Sequence, residues 1–575
     1  MNDTTPQTSS FFNDEERFKQ IVSILIAVVT VITAVVGLLQ NDAGSRDDRA
    51  NRVAQDFAFQ AMGQRISGVA RAGYDRGDAY RNLSELAALA TSAENAGDDA
   101  AAQRYLAVAE EITQLSPLLA PPYFDPAVDG QPNLAKYEAE TYLVNVTGLA
   151  ERSAAWFAVK QAWDEKANTY VVHITILAVA LFLFGLALTL SSQVRWIFVI
   201  AGLVISLIAV GWALSVYWGQ VPYLPEQAID AYAQGVGLAH QGDDQGAIKA
   251  FDEAIAQAPE YANALFDRGV AQANLGDFPA AITNFEAARA AGRDDASVAW
   301  NLAWVYYLQG RFDDAVQTNR RTVELDPGLL EARFDLGLAM LAAGQIEAAR
   351  NEYTQGVALA TEQVAKAEAA NQEPPASLWW SFENSAAALD GLIDRIDGFE
   401  DSWWSATPPL DKITNPEAVQ AAAEEIVHQL KGNSVALEYT GQPLAGSPTA
   451  QITPFEFAEA EYDDEGNIAQ YNVTDLFPAG TQEVYITFDY ENMRDDQEVV
   501  YKVYYNGEED PSWRNIEKWS LGASGSAEYP LSYAYSNVYT LASGEYLAEM
   551  YVNSHLVQRG YFYIAEPDAE ASATE

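Results

Sequence analysis

The sequence predicts a multidomain α plus β protein: three transmembrane helices, a helical stalk, an α-solenoid of helical hairpins and a C-terminal antiparallel β-sandwich. Three observations predict it. Three long apolar stretches carry no charge, small residues recur every 34 positions across residues 226–361, and residues 433–565 change to a period of two.

Residues 1–20 form a polar N-terminal segment. The charge-free run over residues 21–39 is long enough to cross a hydrocarbon core of about 30 Å as a helix, which sets a first span at 21–40. Its end, Val-Val-Gly-Leu-Leu-Gln-Asn-Asp, lacks the small-x-small pattern of a cleaved leader and reads as an uncleaved anchor. Two further spans, 170–190 and 196–218, are joined by a short loop. Trp196, Trp212, Tyr217, Trp218 and Tyr223 stand near span ends, where aromatic belts are found. Arg17 and Lys19 before the first span, Arg195 in the tiny loop, and no Lys or Arg from 196 to 248 favour a cytoplasmic N-terminus. Arg46, Arg49, Arg52, Lys160 and Lys166 oppose this, but they lie in a long segment where charges count less. The expectation is a multi-pass bacterial plasma-membrane protein with its bulk outside.

Residues 41–169 read as a helical membrane-proximal domain. Ala-rich stretches at about 43–73 and 133–169 continue the spans as a stalk. Between them Gly97, Ala102, Leu106 and Ala109 match the downstream repeat phase once. Pro117, Pro121, Pro122, Pro126 and Pro132 mark a loop.

In the array, Gly242, Gly276, Gly310 and Gly344 are 34 apart. Ala247, Ala281, Ala315 and Ala349 follow each by five, and Gly235, Gly269, Ala303 and Gly337 precede each by seven. Phe251, Phe285, Asn319 and Tyr353 then hold a mostly large position. A fixed period with small residues at fixed phases implies stacked helical hairpins, with glycine where the first helix turns into the second. On these positions the stretch resembles the tetratricopeptide repeat (TPR) family, and Pro259 and Pro327 match that family's terminal proline, whereas Arg293 and Thr361 depart from it. The resemblance implies a groove lined by the first helix of each hairpin. Carried over at that phase, Tyr232, Phe266, Trp300 and Phe334 form an aromatic ladder, with Trp304 and Tyr307 on the same helix as Trp300. Such a ladder would anchor an extended or helical peptide, or it packs between repeats. Basic residues for clamping a C-terminal carboxylate are not seen on this surface.

Residues 362–432 are expected to cap the array, with helices over 362–370 and 378–396 and a third from Asn415 (N-cap) and Pro416 to Lys431-Gly432. Trp379, Trp380 and Phe382 lie in the second of these, and Trp403 and Trp404 in the following loop.

Strands are predicted over 484–490, 499–505, 546–552 and 561–564, with Asn506-Gly507 as a hairpin turn and Trp513 and Trp519 in a longer connection. The ending looks like immunoglobulin-like modules at the C-termini of bacterial envelope proteins. Residues 566–575 are an acidic tail.

Net charge is −48, and from Val221 onward 18 Lys+Arg face 58 Asp+Glu. Phosphates would be repelled, so nucleic acid is excluded as a partner, and the acidity keeps a large surface soluble. No cysteine is present, which removes disulfides, thiolate nucleophiles and Cys-based metal sites. The histidines His173, His240, His428 and His555 are scattered, and no HExxH, P-loop, Rossmann or G-x-S-x-G pattern occurs. Asp463-Asp464-Glu465 and Glu508-Glu509-Asp510 lack EF-hand spacing and read as solvated turns. Asn82, Asn145 and Asn472 open short sequons.

No cofactor, metal or catalytic residue is expected. The expectation is a non-enzymatic, membrane-anchored adaptor that binds protein or peptide partners and organises a complex at the lipid bilayer. The competing reading is a cell-envelope receptor or wall-binding protein whose β-sandwich takes a glycan. A hydrolase with an unrecognised carboxylate site ranks last.

Overall fold

The computed structural model describes residues 15–96, 98–124, 131–190, 194–398, 407–446, 448–462, 468–532 and 540–565. Trp403, Trp404, Gly97, the run Asp463-Asp464-Glu465 and the acidic tail fall outside these ranges. Two compact units make up the chain, Met1–Ala87 with Asp99–Ala271 and Ala88–Asp98 with Gln272–Glu575.

The first helices are α1 (Glu15–Tyr74), α2 (Arg81–Asn95), α3 (Asp99–Leu115), α4 (Leu134–Glu138), α5 (Val144–Thr189) and α6 (Arg195–Trp218). Among the described residues, three helical segments are long and apolar enough to cross a membrane: Glu15–Ala93, Leu134–Thr189 and Arg195–Trp218. No proline interrupts the sixty residues of α1, so it runs unbroken for about 90 Å at 1.5 Å per residue. Its buried residues Val22, Val29, Val36, Ala43 and Ala50 are seven apart, and Ala54, Ala61 and Gly68 continue at the same interval after a step of four. This is a coiled-coil seam against α5. The two helices are antiparallel: Ser153 Oγ donates to the Ala54 carbonyl at 2.9 Å, and Lys160 pairs with Asp47 at 3.7 Å. Valine fills the seam in the apolar part, while alanine and glycine beyond it bring the backbones close. The ring of Tyr142 occupies the place a Gly68 side chain would take. In the apolar part Phe184 from α5 packs 2.8 Å from where a Gly202 Cβ would sit on α6.

Ala102 and Ala109 of α3 are buried, but Leu106, at the large-residue phase of the repeat, is exposed. The single upstream match therefore lacks the wedge that defines a repeat.

The array begins with α7 (Glu226–His240), α8 (Asp244–Gln257) and α9 (Ala262–Asn274). It continues with α10 (Phe278–Ala290), α11 (Ala296–Leu308), α12 (Phe312–Leu325), α13 (Leu330–Ala342) and α14 (Ile346–Ala369). The unit boundary falls inside α9. Gly242, Gly276, Gly310 and Gly344 all adopt φ between +70° and +77°, the left-handed turn their spacing predicts. In the first hairpin the Phe251 ring fills the space above Gly235, and in the fourth Tyr353 does the same above Gly337 at 2.7 Å. The helix expected over 362–370 is the end of α14, which carries the last repeat two turns further.

The cap consists of α15 (Ala376–Asp397) and α16 (Pro416–Thr440). Phe382 is buried against Phe334 of α13, with ring centroids 5.4 Å apart, whereas Trp380 stays 62% exposed. Two sequence expectations need correction here. Asn415 makes no side-chain cap; it supplies a left-handed backbone (φ 54°) ahead of Pro416 at the first helical position. The helix does not stop at Lys431-Gly432 but runs to Thr440, with Gly441 (φ 64°) ending it. Gly432 is needed for close approach, since a Cβ there would stand 2.9 Å from the Ser554 carbonyl oxygen.

Eleven strands follow among the described residues: β1 (Gln451–Ile452), β2 (Glu456–Tyr462), β3 (Ile468–Val473), β4 (Leu476–Phe477), β5 (Glu483–Glu491), β6 (Glu498–Tyr505), β7 (Glu508–Glu509), β8 (Asn515–Lys518), β9 (Ser524–Ser532), β10 (Gly544–Val552) and β11 (His555–Ile564). One sheet is ordered β1-β5-β2-β3 with β9 also on β5; the other is β4-β11-β10-β6-β7 with β8 also on β6. Phe457, Ile486 and Phe488 from the first sheet and Tyr501, Tyr546 and Phe562 from the second share one buried cluster. The β region is not wholly antiparallel, because β4 runs parallel to β11, pairing Leu476 with Tyr563 and Phe477 with Ile564. Asn506 and Gly507 (φ 48° and 84°) make the expected turn, and Asn553-Ser554 (φ 49° and 65°) makes a second of the same kind between β10 and β11. Trp513 and Trp519 are core residues rather than surface ones.

The second sheet is covered on its other face as well. Val435 of α16 joins Val500, Tyr551 and Leu556 in a separate buried cluster. For this reason β10 is buried along nearly its whole length instead of alternating.

Candidate functional site

On the first helix of each hairpin, the ladder residues divide into two groups. Phe334 is fully buried, stacked on Tyr353 at 5.6 Å, and Gly356 leaves the room its ring fills. Tyr307, Tyr232 and Phe266 are also buried. Trp300 and Trp304 are half-buried, one turn apart on α11, and Trp304 stacks on Tyr307 at 5.3 Å. Of the six candidates, these two indoles keep accessible ring surface.

A polar contact missed in the sequence accompanies the ladder. Trp300 Nε1 donates to Asp335 Oδ2 at 2.6 Å, and Tyr232 Oη donates to Asp267 Oδ2 at 2.6 Å. In both, the acceptor lies 35 residues after the donor, on the next hairpin's first helix. The signal was readable: Asp267, Asn301 and Asp335 each follow a ladder aromatic by one residue. Burial pushes the Asp335 carboxyl up to about 7, against the lowering effect of the Trp300 hydrogen bond and with Glu331 adding to the rise. With its N–H already used, the Trp300 indole offers a partner an apolar ring face.

A second concave region lies where α15 and α16 meet β6 and β10. It is open to solvent and lined by Phe382, Asp390, Lys431, Lys502, Tyr504 and Leu547 among others. Its floor is a buried ion-pair network. Lys431 Nζ sits 3.0 Å from Asp390 and against Glu549, and Arg559 also pairs with Asp390. Burial alone would raise Asp390 and lower Lys431. Lys431 and Arg559 more than offset this for the carboxyl, and Asp390 and Glu549 do so for the ammonium, so both stay charged. Beside them Glu509 pairs with Lys502 at 3.2 Å and Arg514 at 2.5 Å. The Glu508-Glu509-Asp510 run is thus not simply a solvated turn, because Glu509 is an ion-pair partner of the interior. Every cation here has a carboxylate, so the network reads first as a structural joint. Among the described residues no group of three or more His, Asp or Glu is placed to hold a metal ion.

A two-helix unit repeated every 34 residues, with glycine at each turn and interlocking aromatics, defines a helical-repeat protein-binding class. Residues 232–283 and 266–329 match the tetratricopeptide repeat family model, so this part of the chain carries tetratricopeptide repeats. Solved structures with similarity include MamA from residue 41 onward of Desulfovibrio magneticus RS-1, at 21% identity over 28% of this chain and 85% of that one, TM-score 0.23. YrrB, described as a TPR protein with an unusual peptide-binding site, gives 19% identity over 34% and 90%, TM-score 0.23. A tetratricopeptide repeat protein of Parabacteroides merdae ATCC 43184 gives 12% over 60% and 99%, TM-score 0.23. No curated protein matches the chain.

Proposed function

We propose that the protein is a non-enzymatic, membrane-anchored scaffold that holds a protein or peptide partner on the first-helix face of its TPR array. The observation carrying this reading is the Trp300–Trp304 pair, two large amphipathic rings held partly exposed by packing on Tyr307 and the hydrogen bond to Asp335. Rigid aromatic anchors of this kind dominate binding energy at interfaces. The glycan reading loses support, since Trp513 and Trp519 of the β region are buried.

Trp304→Ala should lower capture of the partner by roughly 30-fold, the loss of a hot spot worth about 2 kcal/mol. Pull-down from solubilised membranes with the wild-type and variant chains reads this, with melting temperature as the folding control. Equal recovery by a folded variant sinks the groove reading.

The scaffold faces outward in this proposal, with its N-terminus in the cytoplasm. Protease added to intact cells should then remove the repeats and the β region; protection until lysis reverses the orientation.

A further inference from the structure

The outer part of α1 carries a second apolar stripe that none of the described residues covers. Phe59, Met62, Ile66 and Val69 are 74%, 61%, 59% and 51% exposed. Their spacing of three, four and three residues is that of a coiled-coil seam, with Phe59 and Ile66 at a positions and Met62 and Val69 at d positions. The seam with α5 lies on another face, through Ala54, Ala61 and Gly68.

Lipid does not explain this stripe. The apolar window of α1 ends near residue 40, and Asp42, Arg46, Asp48, Arg49, Arg52 and Asp56 separate it from Phe59. Nineteen residues of helix place Phe59 about 28 Å beyond the window, past the headgroup layer. On the order of 400 Å² of contiguous apolar surface in water marks an interaction site.

We propose that this stripe pairs two copies of the chain into a parallel, in-register dimer of stalks. Several features favour a second copy. Membrane-anchored copies share one orientation, and the unbroken α1 fixes the stripe at one height above the bilayer, so each residue meets its own counterpart. Beside the four stripe residues the flanking positions raise no obstacle: Ala58 faces Gly63 and Arg65 faces Ala70 in such a pairing. Arg52, one heptad before Phe59, would meet its own counterpart, so the pairing is confined to the stripe that begins at Phe59. Two such patches bury roughly 800 Å², below the 1,200 Å² of a free-standing interface, and confinement to one membrane raises the effective concentration enough for it to hold.

The chain has no cysteine, so single cysteines report directly on this pairing. Ile66→Cys and Met62→Cys, oxidised in native membranes, should form disulfide dimers at a yield roughly fivefold or more above Ser67→Cys, which lies one position off the seam. Adding Ile66→Asp to Met62→Cys should remove that dimer; Ile66 is exposed in one copy, so its fold does not need it. Equal yields at positions 66 and 67, or cross-linking of Ile66→Cys to a different polypeptide instead of to a differently tagged copy, overturns the proposal.

Discussion

Phe334→Ala should destabilise the C-terminal half of the array by about 3–5 kcal/mol, while leaving the exposed aromatic face unaltered in composition. The Phe334 ring lies between Tyr353 on its own hairpin and Phe382 on the cap, at 5.6 and 5.4 Å. It also occupies the space that Gly356 leaves open. Truncation therefore removes the contact that joins the last repeat to α15. Denaturation of the purified protein followed by far-ultraviolet circular dichroism reads the effect. A melting curve matching the wild type would show that the ring is not a keystone, and partner capture lost through Phe334→Ala without loss of stability would return it to the groove.

Lys431→Met should cost a similar amount, about 3–5 kcal/mol, because it leaves buried Glu549 without a cation and Asp390 with Arg559 alone. Adding Glu549→Gln should recover a large part of the loss, because Asp390 keeps its pair with Arg559 and the network is again neutral. The network also sets a pH window. Asp390 sits below its usual 3.8, so its contribution is present above that value and fades as pH falls through the depressed one. Lys431 sits above its usual 10.5, so its contribution holds below that value and fades as pH rises through the raised one. Wild-type stability should thus be flat near neutrality and fall at both extremes, and the Lys431→Met/Glu549→Gln variant should lose the part that Lys431 sets at high pH. A double variant with the wild-type profile at high pH would remove Lys431 from the account.

How much was legible depended on whether the signal was local. The glycines at 34-residue intervals were readable because a left-handed turn residue is a backbone demand, and each has the predicted sign of φ. Strands β5, β6 and β10 were readable from β-branched and aromatic runs, and Asn506-Gly507 from its turn chemistry. Gly432 misled because glycine means two things: a stop when φ is positive, a close contact when it is helical. Only the Ser554 carbonyl, 122 residues away in sequence, decides between them. The ladder was found as a period, but which aromatics point out was not, since Phe334 and Trp300 share a phase and differ only in what the cap lays over them. The Lys431 network joins three segments far apart in sequence and leaves no local trace.

The unbroken course of α16 has a mechanical consequence. One face of the helix belongs to the cap of the repeats and another, through Val435, to the second sheet. Among the described residues, repeats and sheet share one rod about 37 Å long at 1.5 Å per residue. A load applied to the β region reaches the last repeat as a lever arm, and a partner seated near Trp300 would feel it as a change of angle instead of a change of reach.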